Sequence, residues 1–285
     1  MKDPGHGKTF TSADGLELFY RDFGPEDEGT PVICLPGLTR NSRDFLEIAE
    51  YIGERRRVLL PDLRGRGNSA YDPEWRNYHP ATYINDTWTL LDSLGIERVI
   101  IIGTSLGGLC AMGMAAMQAN RLAAVVINDI GPEINPAGIA RIQSYVGKQE
   151  IPGTWEEAIE QTRANYGEFL PGLSHKDWED MVWKGYREGD AGQPIPDYDP
   201  NIARALAEVG AQAGDPWMYF DALGPVRTTL LWGVLSDILT QDIVDKMAAR
   251  KPDLDVVRVE NRGHVPLLDE PECLAAVDTL LAEVT

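Results

Sequence analysis

Residues 99 to 117, VIIIGTSLGGLCAMGMAAM, drive four large apolar residues into a Gly-Thr-Ser-Leu-Gly-Gly corner and out again through small and apolar residues. A strand that must reverse into a helix so abruptly forces its apex into a backbone conformation that most side chains avoid. Gly103 and Gly107 remove the Cβ groups that would collide there. The pattern is G-x-S-x-G between a strand and a helix, and it leaves the Ser105 hydroxyl clear at the sheet's carboxyl edge, where open α/β sheets place ligands. The following helix, Leu106 to Ala119, is small and apolar almost all round and is expected to be buried against that sheet.

The rest of the chain repeats this alternation. LELFY (16–20), PVICL (31–35), RVLLP (57–61), VIIIG (99–103), AVVIND (124–129), TTLLWG (228–233) and DVVRVE (255–260) read as strands. The middle runs are apolar at nearly every position, as parallel strands covered on both faces require. Between them lie helical stripes: Phe45, Ile48, Ala49 and Ile52; Tyr83, Thr87, Leu90, Leu91 and Leu94; Ile243, Val244 and Met247; Leu274, Val277, Leu281 and Val284. Asn41 and Ser42 suit an N-cap, and Pro271 suits a first helical turn. The fold class is therefore α/β with a mainly parallel, doubly wound sheet.

From Gly131 to Pro216 the rhythm changes. No convincing strand is visible there, only helical fragments punctuated by Pro and Gly, one opened by a capping-box-like Ser174 and Asp177. The expected organisation is a core of residues 1–130 and 217–285 interrupted after the sixth strand by a helical cap over 131–216.

Composition narrows the partners. The chain of 285 residues is 43% hydrophobic and 25% charged, as globular chains are. Its net charge of −19 repels phosphate backbones and anionic lipid, which argues against nucleic acid or a membrane surface. Cys34, Cys110 and Cys273 each sit in an apolar stretch, without disulfide or metal spacing. The N-terminal stretch MKDPGHGKTF carries no apolar core of a secretory signal, so a reducing, cytoplasmic location is expected. Oligomeric state is not encoded in any of these features.

A serine hydroxyl needs a base. Of four histidines, His6 lies near a terminus, His79 precedes a proline in a turn, and His175 opens a helix. His264, in VENRGHVPLLDEP, follows the last strand and is the candidate general base. The acid that orients it has two candidates. Asp237 follows the penultimate strand and completes the chain order Ser105, Asp237, His264; it is preferred. Asp129, ending the strand before, is the rival.

GTSLGG, LPGLTRNSRDF (35–45), PDLRGRGNS (61–69) and RGHVPLLDEP (262–271) together resemble the α/β-hydrolase-fold serine hydrolases, in their esterase, lactonase and carbon–carbon hydrolase branch. The resemblance implies catalytic Ser105, Asp237 and His264, an oxyanion hole made by the backbone N–H groups of Leu38 and Leu106, and no cofactor or metal. Two departures stand out. Pro36-Gly37 replaces the usual His-Gly, and Ser236 occupies the place where relatives put the acid in W-G-x-x-D, which keeps Asp129 in play. Arg64 and Arg66 belong to a structural turn in relatives; meeting a substrate carboxylate is the lesser alternative.

The implied activity is hydrolysis of a carboxylic ester or lactone of small, apolar or aromatic character. One alternative is a carbon–carbon hydrolase acting on a diketone-like ring-cleavage product. Another is a binding or sensing protein that retains the fold. Trp155, Tyr166, Trp178, Trp183 and Tyr186 are candidates to line the substrate pocket, against ordinary packing of helices on the sheet.

Overall fold

The computed structural model describes residues 6–26, 28–148, 150–209 and 215–284. The first five residues of the N-terminal stretch, and positions 149 and 210–214 of the 131–216 segment, lie outside the described residues.

In chain order the strands are β1 (Gly7–Thr11), β2 (Glu17–Phe23), β3 (Val32–Leu35), β4 (Val58–Pro61), β5 (Val99–Thr104), β6 (Leu122–Asn128), β7 (Tyr186–Glu188), β8 (Pro194–Pro196), β9 (Arg227–Gly233) and β10 (Asp255–Val259). The helices are α1 (Leu46–Gly53), α2 (Pro80–Ser93), α3 (Leu106–Gln118), α4 (Pro136–Tyr145), α5 (Trp155–Tyr166), α6 (His175–Gly185), α7 (Ile202–Val209), α8 (Trp217–Asp221), α9 (Gln241–Arg250) and α10 (Pro271–Glu283). Among the described residues, eight strands form one sheet in the order β1-β2-β4-β3-β5-β6-β9-β10. Within this sheet, among the described residues, the β1–β2 and β2–β4 pairings are antiparallel and the others parallel.

Strand periodicity explains why the middle runs are apolar throughout. Val99 and Ile101 of β5 join the core under α2, α3 and α9, whereas Ile100 and Ile102 join the core under α1 and α10. Both faces are covered, so every position is buried. Each such side chain contributes about 1.5–3 kcal/mol relative to exposure. The local signals are also met. The Asn41 side chain accepts from Arg43 N at 3.0 Å, Ser174 and Asp177 close a capping box, and Pro271 opens α10.

Two parts differ from the sequence reading. β1 lies outside the strands that the sequence pattern marks; its residues are mostly exposed, so it lacks the apolar signature of a buried strand. Segment 131–216, read as strand-free, carries the β7–β8 hairpin, whose register pairs Arg187 with Ile195. With three residues per strand and prolines at both ends of β8, no alternation could be seen. The segment's α5 and α6 share a small core of their own around Ile159, Leu170, Trp178 and Val182. The C-terminal end of α6 is tied to the loop after β3: Arg40 Nη2 donates to Met181 O at 3.2 Å, and Asn41 Nδ2 and Arg43 Nε each donate to Lys184 O at 3.0 Å.

Candidate active site

β3 lies between β4 and β5, so the strand order reverses beside β5, and the crevice at the carboxyl ends opens where β5 turns into α3. At that turn Ser105 has φ 51° and ψ −112°, a left-handed backbone held by Ser105 N donating to Asn128 O at 3.0 Å. The flanking glycines are obligatory for contact as well as for the bend. A Cβ at Gly103 would sit 2.5 Å from the Gly107 carbonyl carbon, and one at Gly107 would collide with the Leu35 carbonyl of β3.

His264 arrives on the loop between β10 and α10. Glu270 folds that loop by accepting from Leu267 N at 3.0 Å, Leu268 N at 2.9 Å and Arg262 Nε at 2.6 Å. Asn128, fully buried at the end of β6, joins both halves of the site: its amide donates to Thr104 Oγ1 at 3.2 Å and to Pro266 O at 3.0 Å. His264 Nε2 consequently lies 2.9 Å from Ser105 Oγ. Its other ring nitrogen, Nδ1, lies 2.9 Å from Asp129 Oδ2.

The structure therefore brings together two of the three residues expected from the sequence and replaces the third. Asp237 is not at the histidine. Its carboxylate forms a two-pronged ion pair with Arg141 of α4, with Nε–Oδ2 at 2.5 Å and Nη2–Oδ1 at 2.9 Å. The rival, Asp129, faces the imidazole instead. It follows β6 with φ 54°, a conformation Asp tolerates better than most residues, and it is completely buried. Ser236, in the place where the acid was sought, donates its hydroxyl to Asp129 Oδ2 at 2.6 Å, and Gly233 N donates to Oδ1 at 2.9 Å. The longer β9–α9 loop thus offers a serine that supports the carboxylate of the neighbouring strand. Burial pushes the Asp129 carboxyl up from its ordinary range, while the hydrogen bonds from His264, Ser236 and Gly233 favour the ionised form.

The loop after β3 passes close to the serine: a Cβ on Gly37 would lie 3.8 Å from Ser105 Cβ. Its next residue, Leu38, is fixed from behind. Arg66 Nε donates to Leu38 O at 2.8 Å, and the same fully buried guanidinium donates to Arg64 O at 2.7 Å and Tyr83 Oη at 3.0 Å. Arg66 accordingly braces the loop whose usual bracing histidine is replaced by Pro36. Arg64 is enclosed by Asp14, Asp72 and Asp86. Both arginines hold the fold, and neither lines the cavity, so the alternative of a substrate carboxylate receives no support.

A cavity of about 360 Å³ opens at Ser105 and His264. Ile142, Tyr145, Val146, Tyr166, Leu170 and Met181 give it an apolar wall from the 131–216 segment. Of the aromatic residues singled out in the sequence, Tyr166 lines it; Trp178 and Tyr186 instead pack in the segment's own core. Tyr145, which also lines it, was not distinguishable in the sequence from any other residue of a helical stripe. Among the described residues no cluster of His, Cys, Asp or Glu is arranged to hold a metal ion, and no helix is long and apolar enough to cross a membrane.

A buried carboxylate, an imidazole and a hydroxyl in hydrogen-bonded series, on a strained strand–helix turn of a doubly wound sheet, make up the candidate site. A family model described as alpha/beta hydrolase fold matches residues 30–271, and the chain belongs to that family. It is 31% identical over 270 residues to the 3-hydroxybutyrate-oligomer hydrolase of Cupriavidus necator, covering 90% of each chain. It is 25% identical over 257 residues to the N-formylmaleamate deformylase of Pseudomonas putida, covering 89% of this chain and 88% of that one. The crystal structure of an alpha/beta hydrolase from Novosphingobium aromaticivorans superposes with a TM-score of 0.93 at 41% identity over 98% of both chains. These full-length relatives are named as hydrolases or a deformylase, which supports an enzyme.

Proposed function

We propose that the protein is a serine hydrolase that cleaves carboxylic esters or lactones through an acyl-enzyme on Ser105. The observation that carries this reading is the unbroken series Ser105 Oγ, His264 Nε2, His264 Nδ1 and Asp129 Oδ2, with 2.9 Å at each of its two hydrogen bonds. With the proton on Nδ1 donated to Asp129, Nε2 is free to accept from the serine hydroxyl.

Ser105 Oγ bonds to the substrate carbonyl carbon as its proton passes to Nε2. The negative oxygen that results is received by the backbone N–H groups of Leu38 and Leu106; such a donor is worth about 2.7–4 kcal/mol at the transition state. Collapse breaks the bond to the leaving oxygen, which takes the proton from His264. Water then adds to the acyl carbon, gives its proton to Nε2, and the acid departs as Ser105 recovers its hydrogen. The 131–216 segment acts as the cap that walls the cavity.

The relative that hydrolyses 3-hydroxybutyrate oligomers is matched over 90% of its length. It favours an ester of a small hydroxy acid over a carbon–carbon bond as the target. The hydrogen-bonded series also favours turnover over passive ligand sensing.

The test pairs a fluorophosphonate probe with p-nitrophenyl butyrate. The wild-type protein should be labelled at Ser105 and hydrolyse the ester, and Ser105→Ala should do neither. An unlabelled wild-type serine, or full ester turnover by Ser105→Ala, overturns the mechanism.

A further inference from the structure

Among the polar groups that line the cavity, one hydroxyl pair stands in its apolar wall and is left unused by the acyl-transfer chemistry. Tyr166, at the end of α5, donates its hydroxyl to the hydroxyl of Tyr145, at the end of α4, over 3.2 Å, with the rings edge to face at 5.9 Å. Both residues line the cavity that holds Ser105. A phenol that accepts one hydrogen bond still has its own hydrogen to give. Burial, followed by the neighbouring Tyr166, holds the Tyr145 phenol above its ordinary value, so it keeps that hydrogen throughout the working pH range.

The hydroxyl pair is also backed by a fixed positive charge. Arg141, one turn before Tyr145 on α4, is clamped by Asp237 through Nε and Nη2, and its guanidinium lies over the rings of Phe169 at 4.4 Å and Tyr145 at 6.0 Å. Its remaining nitrogen, Nη1, is buried without a hydrogen-bond partner. A guanidinium beside a phenol strengthens that phenol as a donor. Asp237 therefore has a part in the site after all: it holds the arginine that stands behind a cavity hydroxyl.

We propose that Tyr145 is a specificity-determining residue whose hydroxyl, seated by Tyr166 and Arg141, hydrogen-bonds a second oxygen on the substrate's acyl chain. The preferred class is then esters of hydroxy acids, including short oligoesters, over esters of plain alkanoic acids. This rests on the serine-hydrolase reading above and specifies its substrate. An unsubstituted chain leaves the buried donor without a partner, and a site built around such a donor discriminates against the chain that cannot accept from it.

The experiment compares kcat/KM for p-nitrophenyl 3-hydroxybutyrate and p-nitrophenyl butyrate in the wild type and in Tyr145→Phe. Because the two esters are read on one sample, their ratio is independent of the fraction folded. The wild type should prefer the hydroxy ester, and Tyr145→Phe should lower the ratio by about fivefold to tenfold, the change expected for one neutral hydrogen bond. A wild-type ratio at or below one, or a ratio that Tyr145→Phe leaves unaltered, overturns the inference while the hydrolase reading stands. No turnover of either ester by the wild type overturns both.

Discussion

Asp129→Asn tests the site at its most specific point. Asp129 spends its two oxygens differently: Oδ1 accepts from Gly233 N, while Oδ2 accepts from Ser236 Oγ and faces His264 Nδ1. An asparagine can occupy this place in two orientations, and both fail. With its oxygen toward Gly233 N, its NH2 donates to Nδ1; the imidazole proton then sits on Nε2, which can no longer accept from Ser105. With its oxygen toward His264, its NH2 meets the Gly233 N–H, donor against donor in a fully buried site, at about 1–3 kcal/mol. The first orientation is therefore expected, and the wrong tautomer costs about 10⁴-fold in kcat in serine proteases altered in the same way. That is about 5 kcal/mol of transition-state stabilisation. The assay is kcat/KM with p-nitrophenyl butyrate beside the matching Asp237→Asn variant, which loosens a partly exposed ion pair with Arg141 and should cost less than tenfold. Asp129→Asn within tenfold of wild type, with Asp237→Asn down by orders of magnitude, would refute the assignment of the acid.

Two further outcomes follow from the same geometry. Arg66→Met removes the donor to Leu38 O and the brace of the loop proposed to receive the oxyanion, so kcat should fall by about tenfold or more with KM little changed; a raised KM with kcat unchanged would place Arg66 in substrate binding instead. The Asp14 carboxyl is held at about 2 by hydrogen bonds from Arg64 and Ser12, against an ordinary 3.8. A carboxyl lowered on folding contributes stability that is fully present above its unfolded value and is lost as pH falls toward the folded one. Thermal melts of Asp14→Asn should accordingly decline less between pH 4 and pH 2 than those of the wild type, and parallel declines would contradict this.

The corner at Ser105 and the arrival of His264 beside it were legible because each rests on a constraint that leaves a mark in the chain. Ser105 needs glycines on both sides for contacts with the Gly107 and Leu35 carbonyls, and a glycine pattern between a strand and a helix is visible without coordinates. His264 follows the last strand, and its loop is a compact unit built around Glu270. The parallel core was legible for a similar reason: strands buried on both faces carry uninterrupted apolar runs. The exposed edge strand β1 and the short β7–β8 hairpin bury little, so nothing in their composition separates them from loop.

The carboxylate that faces His264 was the hard case because its position depends on distances between neighbouring strand ends, which sequence order does not report. β6 and β9 are adjacent in the sheet, with Asn128 opposite Leu231, so residues just beyond either end can reach the same imidazole. What separates them is the extra residue that puts Ser236 where an aspartate was sought and swings Asp237 outward to Arg141. The sequence showed the shift in spacing but not its consequence. A hydroxyl at position 236 can support a carboxylate from β6 but cannot replace one, since a neutral oxygen does not stabilise an imidazolium as an anion does. Once the serine occupies that place, the charge has to come from the adjacent strand. Among the described residues, Asp129 is the one carboxylate whose left-handed backbone turns it inward to the histidine, and the freed Asp237 is left to anchor Arg141 behind the cavity's tyrosines.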